Sequence, residues 1–141
     1  MIMKRFIFVL IAILLCFSLT ACGEDKEIVT EVKFTVYEND GTDFISFYMT
    51  SDVKPLGVWE YTISDSKLFE TFLENEETND YGTFGWGGTA SYKTLVLKPV
   101  AEGNATITFN LTEGDQKQEF SVNVAKDDSG IFRIKCEEVK E

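Results

Sequence analysis

The chain has 141 residues, of which 24 are acidic, 13 are basic and none is histidine, so its formal net charge is −11 at pH 7. So acidic a chain is poorly suited to nucleic acid, because that affinity comes largely from lysine and arginine side chains that neutralise phosphates. Without histidine, the chain cannot form a Ser-His-Asp or Cys-His catalytic arrangement or a His-ligated zinc site. The acidity of the chain therefore predicts that it has no nucleic-acid partner.

The beginning of the chain predicts a cleavable secretory signal. Two basic residues, Lys4 and Arg5, precede an almost unbroken apolar run over residues 6–17. This run is too short to cross a bilayer, since a spanning helix needs about 20 residues. Leu19-Thr20-Ala21-Cys22 follows and resembles the bacterial lipobox, in which a leucine, two small or neutral residues and a cysteine mark processing of a lipoprotein.

By that resemblance, residues 1–21 are a lipoprotein signal peptide and Cys22 is the lipidated first residue of the mature chain. The alternative is an ordinary secretory signal in which Cys22 is incidental. More than one acyl chain at Cys22 would anchor the protein stably in a membrane. Residues 22–29 then form the lipidated cysteine and its tether, and residues 30–141 form one domain. We expect a monomer in the bacterial cell envelope, on the extracytoplasmic side of a membrane.

From residue 30 onwards, the sequence pattern predicts strands joined by turns. Stretches of alternating or β-prone residues are parted by Gly, Asn, Asp or Pro, and they fall at residues 32–36, 44–50, 59–63, 91–98, 106–111, 119–125 and 131–139. The stretch 44–50 is apolar on both faces, which suggests a central strand or one covered by a loop. Residues 68–73 suit either a short helical turn or a strand, residues 74–80 suggest a polar loop and residues 82–88 a glycine-rich loop. Seven or eight short strands with almost no helical signal predict an antiparallel β-sandwich.

The middle of the chain resembles a known family. Gly85-Trp86-Gly87-Gly88-Thr89 is followed by an alternating strand and then by Leu97-Lys98-Pro99-Val100-Ala101-Glu102-Gly103-Asn104-Ala105-Thr106-Ile107-Thr108-Phe109. This region is similar to the centre of the chagasin-type inhibitors of papain-like cysteine peptidases. The resemblance implies an immunoglobulin-like sandwich over residues 30–125 that pushes three loops from one end into the cleft of a peptidase.

One of the three loop motifs of that family is complete. The Gly-x-Gly-Gly motif is present at residues 85–88. The first loop, Lys54-Pro55-Leu56-Gly57-Val58-Trp59, has the proline and glycine of Asn-Pro-Thr-Thr-Gly but lacks both threonines, and residues 110–114 lack the Arg-Pro-Trp of the third. The resemblance implies that the partner-binding residues are Pro55, Leu56, Gly57, Gly85, Trp86, Gly87 and Gly88.

The two tryptophans have different expected roles. Three glycines around Trp86 allow close approach to another backbone, and tryptophan is enriched among residues that dominate binding energy. The alternative is that these glycines form a hairpin turn and that Trp86 folds back onto the sandwich rim. For Trp59, alternation with Tyr61 and Ile63 predicts a place in the core.

A second resemblance favours a different function. Gly103-x-Ala105-Thr106-Ile107-Thr108 is similar to the late strands of bacterial immunoglobulin-like modules on surface proteins and adhesins. This resemblance implies a non-catalytic adhesive or structural role. Binding to a protein partner, in particular a papain-like cysteine peptidase, is the main hypothesis.

The pattern of the remaining reactive side chains does not indicate an enzyme, a metal site or a cofactor. Cys136 is the one cysteine left after Cys16 and Cys22 are assigned to the signal and the lipid, and its extended context is typical of a small buried hydrophobe rather than of a nucleophile. The acidic turns at Asp40, Asp43 and residues 127–130 do not have EF-hand spacing, so solvated turns are favoured over calcium ligands.

Overall fold

The computed structural model describes residues 29–52, 56–83 and 86–140, with the backbone alone at 80–83 and 86–88. Its eight strands are β1 (Glu31–Asn39), β2 (Thr42–Ser51), β3 (Trp59–Ile63), β4 (Phe69–Thr83), β5 (Trp86–Pro99), β6 (Gly103–Leu111), β7 (Lys117–Lys126) and β8 (Phe132–Val139). The predicted signal peptide, Cys22 and most of the tether lie outside the described residues. Among the residues described, no helix is long and apolar enough to cross a membrane.

The strands form two antiparallel four-stranded sheets that pack face to face. Sheet one has the order β1-β2-β5-β4, and sheet two has the order β3-β6-β7-β8. With the first seven strands lettered A to G, these orders are A-B-E-D and C-F-G, the arrangement of the immunoglobulin constant-type sandwich. The eighth strand extends sheet two beyond β7. The predicted all-β, immunoglobulin-like sandwich is therefore confirmed, with eight strands.

The two faces of β2 are apolar for different reasons. Its inward face carries Ile45, Phe47 and Met49, which are 1% exposed or less. Its outward face carries Phe44, which is 5% exposed because the rings of Tyr37 and Phe72 pack against it at centroid distances of 5.9 and 5.1 Å. The strand lies between β1 and β5, so the prediction of a central strand is confirmed.

Three aromatic rings join the two sheets at the middle of the core. Phe47 of sheet one lies 5.0 Å from Phe109 and 5.4 Å from Phe120 of sheet two, measured between ring centroids. Phe109 and Phe120 meet edge to face at 5.6 Å, a favourable geometry because the positive edge of one ring faces the negative face of the other. Burial of these rings stabilises the packing of the two sheets, and the one cysteine among the described residues, Cys136, is free.

Two loops were predicted at residues 74–80 and 82–88, but residues 74–83 and 86–88 are strand residues of a long hairpin, so the prediction is wrong at those positions. Strands β4 and β5 pair from Phe69↔Pro99 to Thr83↔Trp86, with one register shift between Thr71 and Leu73. The physical reason is that β4 is an edge strand and all its residues from 70 to 79 are exposed. No apolar alternation is needed on such a strand, so its polar sequence looks like that of a loop. The ambiguous segment 68–73 begins at the end of a 3₁₀ turn, Ser66–Leu68, and continues as strand.

Strand β8 is tied to sheet one by a cluster of charges. The Nη1 atom of Arg133 lies 3.1 Å from Asp43 Oδ1 and 3.3 Å from Glu38 Oε2, while its Nε lies 3.1 Å from Asp127 Oδ2. Asp43 also accepts a hydrogen bond from the backbone N–H of Ile134 at 3.0 Å. Two of the carboxylates considered as calcium ligands, Asp43 and Asp127, are thus brought together around a guanidinium group.

This cluster predicts a loss of stability in acid. Hydrogen bonds from the backbone of Ile131, from Arg133 and from the backbone of Ser129 lower the pKa of Asp127 below its usual value of 3.8. A carboxyl group with a lowered folded-state pKa adds stability above its unfolded-state pKa and loses it as the pH falls through the folded-state pKa. We expect Asp127→Asn to lower the melting temperature at pH 7, and we expect the difference from the parent chain to shrink as the pH falls below the usual pKa of an aspartate, about 3.9.

The measurement is a series of melting curves of both chains between pH 7 and pH 2, followed by circular dichroism. Asparagine keeps an oxygen that can accept the two backbone hydrogen bonds, so the variant removes mainly the charge that faces Arg133. A difference in melting temperature that does not change with pH would contradict the prediction.

Candidate binding surfaces

Two connections between strands pack against each other at one end of the sandwich. The backbone N–H of Val58 donates to the hydroxyl of Thr112 at 2.9 Å, and the N–H of Thr112 donates to the carbonyl of Val58 at 3.0 Å. Gly57 is buried beside them, and a Cβ there would lie 3.1 Å from Leu111 and 3.2 Å from Glu113. The close approach of these two connections therefore favours glycine at position 57, because any larger residue would force Leu111 or Glu113 to shift.

The β4–β5 hairpin projects from the same end. The last pair between β2 and β5 is Ser51↔Ser91, but β5 continues from Ser91 back to Trp86 while still paired with β4. At about 3.3 Å per residue, this extension is about 16 Å long. A two-stranded projection is thus placed beside the paired connections at Val58 and Thr112.

The site residues predicted from the sequence lie in different parts of this arrangement. Trp86 pairs with Thr83, Gly87 with Gly82 and Gly88 with Tyr81, so they are strand residues rather than residues of an open loop. Leu56 is half-buried in a turn, next to the buried Gly57. Cys22, Pro55 and Gly85 fall outside the described residues. The predicted glycine loop is therefore the end of a hairpin, and the roles of its residues in binding stay predictions.

Trp59 lies in the core, and the interpretation of this residue as an apolar filler is confirmed. It is 1% exposed, and its indole Nε1 donates to the carbonyl of Thr50 at 2.8 Å. The ammonium group of Lys93 donates to the carbonyl of Trp59 at 3.0 Å. Trp59 opens β3 and Thr50 is next to the end of β2, so this side chain connects the two sheets at the end that carries the connections.

Cys136 has the environment of a packed side chain. It is a free, half-buried cysteine beside the core. Burial, with a smaller effect of the nearby Glu137 carboxylate, raises the pKa of the Cys136 thiol to about 12. Since the thiolate is the reactive form of cysteine, this environment disfavours nucleophilic chemistry at neutral pH.

A second concave surface lies on the outer face of sheet one, where the sequence predicted a polar loop. It is a shallow cleft of about 310 Å³ lined by side chains from the three strands β2, β4 and β5, namely Tyr48, Asn75, Glu77, Asn79, Tyr92 and Thr94. The alternation of Tyr92 and Thr94 along β5 indicates a shared face. Asn75, Glu77 and Asn79 alternate along β4 in the same way. The sequence did not place them on this face, because their segment was predicted to be a loop.

Comparison of the chain with models of protein families, with curated proteins and with solved structures finds no match.

Proposed function

We propose that the chain is a lipid-anchored envelope protein that binds a protein partner with the hairpin end of its sandwich. In its specific form, the proposal is that this end reversibly blocks a papain-like cysteine peptidase. Catalysis is not part of the proposal. Among the described residues, no group of three or more Cys, Asp or Glu side chains is arranged to hold a metal ion.

The observation that carries the proposal is that three strand connections leave the sandwich at one end. The strand ends that flank them are Ser51 and Trp59, Thr83 and Trp86, and Leu111 and Lys117. Trp59 pairs with Leu111, and the hydrogen bonds between Val58 and Thr112 join the first connection to the third. The resemblance to chagasin-type inhibitors implies three binding loops at one end, and this arrangement supports that implication.

The mechanism of such inhibition would be steric. A hairpin that is paired as far as Thr83 and Trp86 is already ordered before it meets a partner. Binding by a preordered element avoids much of the entropy loss that accompanies the ordering of a flexible loop. The hairpin projects by about 16 Å, which is long enough to enter the active-site cleft of a peptidase. The packed connections at Val58 and Thr112 would then lie against the rim of that cleft.

The proposed membrane anchor would hold this end of the domain close to the bilayer. Strand β1 begins at Glu31, which pairs with Thr50 near the same end of the sandwich. A chain from Cys22 to Glu31 reaches at most about 30 Å. A partner bound at the hairpin end would therefore be held between the domain and the membrane, which suits a target that is itself secreted or envelope-bound.

The experiment is an inhibition titration. Residues 23–141, without the lipid, are added to papain and to a cathepsin-type peptidase, and hydrolysis of a small fluorogenic substrate is followed. We expect stoichiometric, reversible inhibition that is lost in the double variant Trp86→Ala/Gly87→Ala. The matched control is Asp128→Ala, an exposed residue in the turn at the opposite end of the sandwich, which should inhibit like the parent chain.

Two outcomes would contradict the peptidase hypothesis. One is the absence of inhibition at micromolar concentration by a sample shown to be folded. The other is inhibition that is equally reduced by Asp128→Ala, since binding would then not involve the hairpin end. Circular dichroism of each variant separates loss of binding from loss of fold.

A non-catalytic surface adhesion or structural module is the second candidate. It is favoured because residues 112–116 contain no arginine, proline or tryptophan, and because Gly87 and Gly88 are paired in a strand instead of forming an open loop. The same titration separates the two candidates, since such a module would not inhibit a peptidase.

A further inference from the structure

The outer face of sheet one presents a row of polar and aromatic side chains that the hairpin end does not use. The β-sheet register places Tyr48 beside Thr94, Thr94 beside Asn75, and Tyr92 beside Glu77. These residues come from β2, β5 and β4 and line one shallow cleft together with Asn79. Along β4, the row from Asn75 to Asn79 is about 13 Å long.

The two tyrosines are neighbours in the lining of this cleft. Their rings lie within 24° of parallel, with centroids 6.4 Å apart, so they are neighbours rather than a tightly stacked pair. Tyr48 is 45% exposed. Partial burial, with smaller effects of Tyr92 and Glu77, raises the pKa of Tyr48. The phenol therefore stays protonated and keeps a hydroxyl donor beside an apolar ring.

The polar side chains beside the tyrosines are available to a ligand. Asn75, Glu77 and Asn79 are exposed, so their side chains are accessible from solvent. Each amide offers two donors and one acceptor oxygen, and the carboxylate offers two acceptor oxygens. Such groups can pair with adjacent hydroxyls that both donate and accept.

The composition and place of the cleft exclude other ligand classes. Among the described residues, no lysine or arginine lines it, and the negative net charge of the chain opposes nucleic acid and other polyanions. An extended peptide that adds a strand would pair with the backbone at the free edge of β4. This cleft instead offers side chains on the face of the sheet, where the backbones of β2 and β5 are already paired on both sides. A lipid tail or apolar helix needs a hydrophobic groove, whereas amide, hydroxyl and carboxylate groups line this cleft.

We propose that this cleft binds a carbohydrate chain, with the rings of Tyr48 and Tyr92 against the apolar faces of pyranose units and with Asn75, Glu77 and Asn79 bonded to their hydroxyls. Tyrosine suits this contact because it combines an apolar ring with a polar tip. The two tyrosines lie on the outer face of sheet one, and of the cleft residues only Asn79, which pairs with Ala90, belongs to the projecting part of the hairpin. The proposal therefore does not depend on peptidase inhibition.

The test is native affinity electrophoresis of the full chain, extracted in Triton X-100, a detergent without a sugar headgroup. The gels contain a mixed-linkage β-glucan, xylan, galactomannan or pullulan, and one gel contains no polysaccharide. We expect retarded migration in at least one polysaccharide gel. We expect Tyr48→Ala and Tyr92→Ala to weaken the apparent affinity by about tenfold or more, equivalent to about 1.4 kcal/mol.

Two variants act as controls. Tyr37→Ala removes another exposed tyrosine on the same sheet that does not line the cleft, and it should migrate like the parent chain. Tyr48→Phe keeps the ring and should retain most of the retardation. Thermal melting of every variant reports folding, and if Tyr48→Ala does not fold, Asn79→Ala on the exposed edge strand takes its place with weakened binding expected.

Three results would overturn the proposal. The first is unretarded migration in all four polysaccharide gels. The second is retardation that Tyr48→Ala, Tyr92→Ala and Asn79→Ala leave unchanged. The third is a self-association of the chain, seen by sedimentation, that Tyr48→Ala abolishes, because the face would then contact a second copy of the protein.

Discussion

Replacing Trp59 by alanine is expected to lower the free energy of unfolding by about 3–5 kcal/mol, the range typical of a large aromatic truncated in a core. The side chain is 1% exposed, so the truncation would leave a cavity that its neighbours fill only in part. It also removes the donor to the carbonyl of Thr50. The measurement is urea unfolding of residues 23–141, followed by far-ultraviolet circular dichroism. A loss of less than about 1 kcal/mol would contradict the burial of Trp59.

Trp59→Phe separates the two contributions. Phenylalanine keeps most of the apolar volume but cannot donate a hydrogen bond to Thr50, and a lost hydrogen bond of this kind costs about 1–3 kcal/mol when the acceptor is left without a partner. We therefore expect Trp59→Phe to be less destabilising than Trp59→Ala. Equal effects would mean that the hydrogen bond, rather than the packing, dominates.

The second large effect is expected at Phe120, whose ring contacts three other aromatic rings in the core. It is 1% exposed and lies 5.6 Å from Phe34, 5.4 Å from Phe47 and 5.6 Å from Phe109. Phe120→Ala is expected to lower the free energy of unfolding by about 3–5 kcal/mol. Since native domains are stable by about 5–15 kcal/mol, either substitution could leave a substantial unfolded population at 37 °C.

Phe72→Ala is the matched control for Phe120→Ala. Phe72 is 58% exposed, and its ring makes one edge contact, with Phe44 at 5.1 Å. The same chemical change should therefore cost about 1 kcal/mol. A loss at Phe72 as large as that at Phe120 would show that the outer face of sheet one is covered in solution, for example by a second copy of the chain.

These stability experiments also limit the choice of binding variants. Trp59 opens β3 next to the connections that pack at Val58 and Thr112. A substitution of Trp59 would disturb the hairpin end through loss of fold and would say nothing about its role in binding. The binding tests therefore use residues at the hairpin tip and in the outer-face cleft.

The strands that face the core could be predicted from the sequence. In β1, Val32 is buried and Lys33 exposed; in β6, Ile107 and Phe109 are buried while Asn110 is exposed. Residues in a strand alternate between an apolar core and water, so burial leaves a period of two in the sequence. The positions of seven strands and the sandwich class followed from that period and from the turn residues between them.

The edge strand β4 and the long hairpin could not be predicted in this way. Residues 70–79 are exposed, so neither face of the strand requires apolar residues and its sequence resembles that of a loop. Its strand structure depends on backbone pairing with β5, which is a contact with another segment and leaves no pattern in the sequence of β4 itself. The same holds for Arg133, whose partners Glu38 and Asp43 lie in the first hairpin of the chain.

The sequence by itself therefore determined the fold class and the core, because burial restricts the residue type at each buried position. Only the tertiary structure decided which polar side chains share a surface. Tyr48, Asn75 and Tyr92 come together because β2, β5 and β4 are neighbours in one sheet, and exposed residues carry no pattern that reveals their neighbours. The contact of Gly57 with Leu111 and the hydrogen bond of Val58 with Thr112 likewise follow from the pairing of β3 with β6 in sheet two.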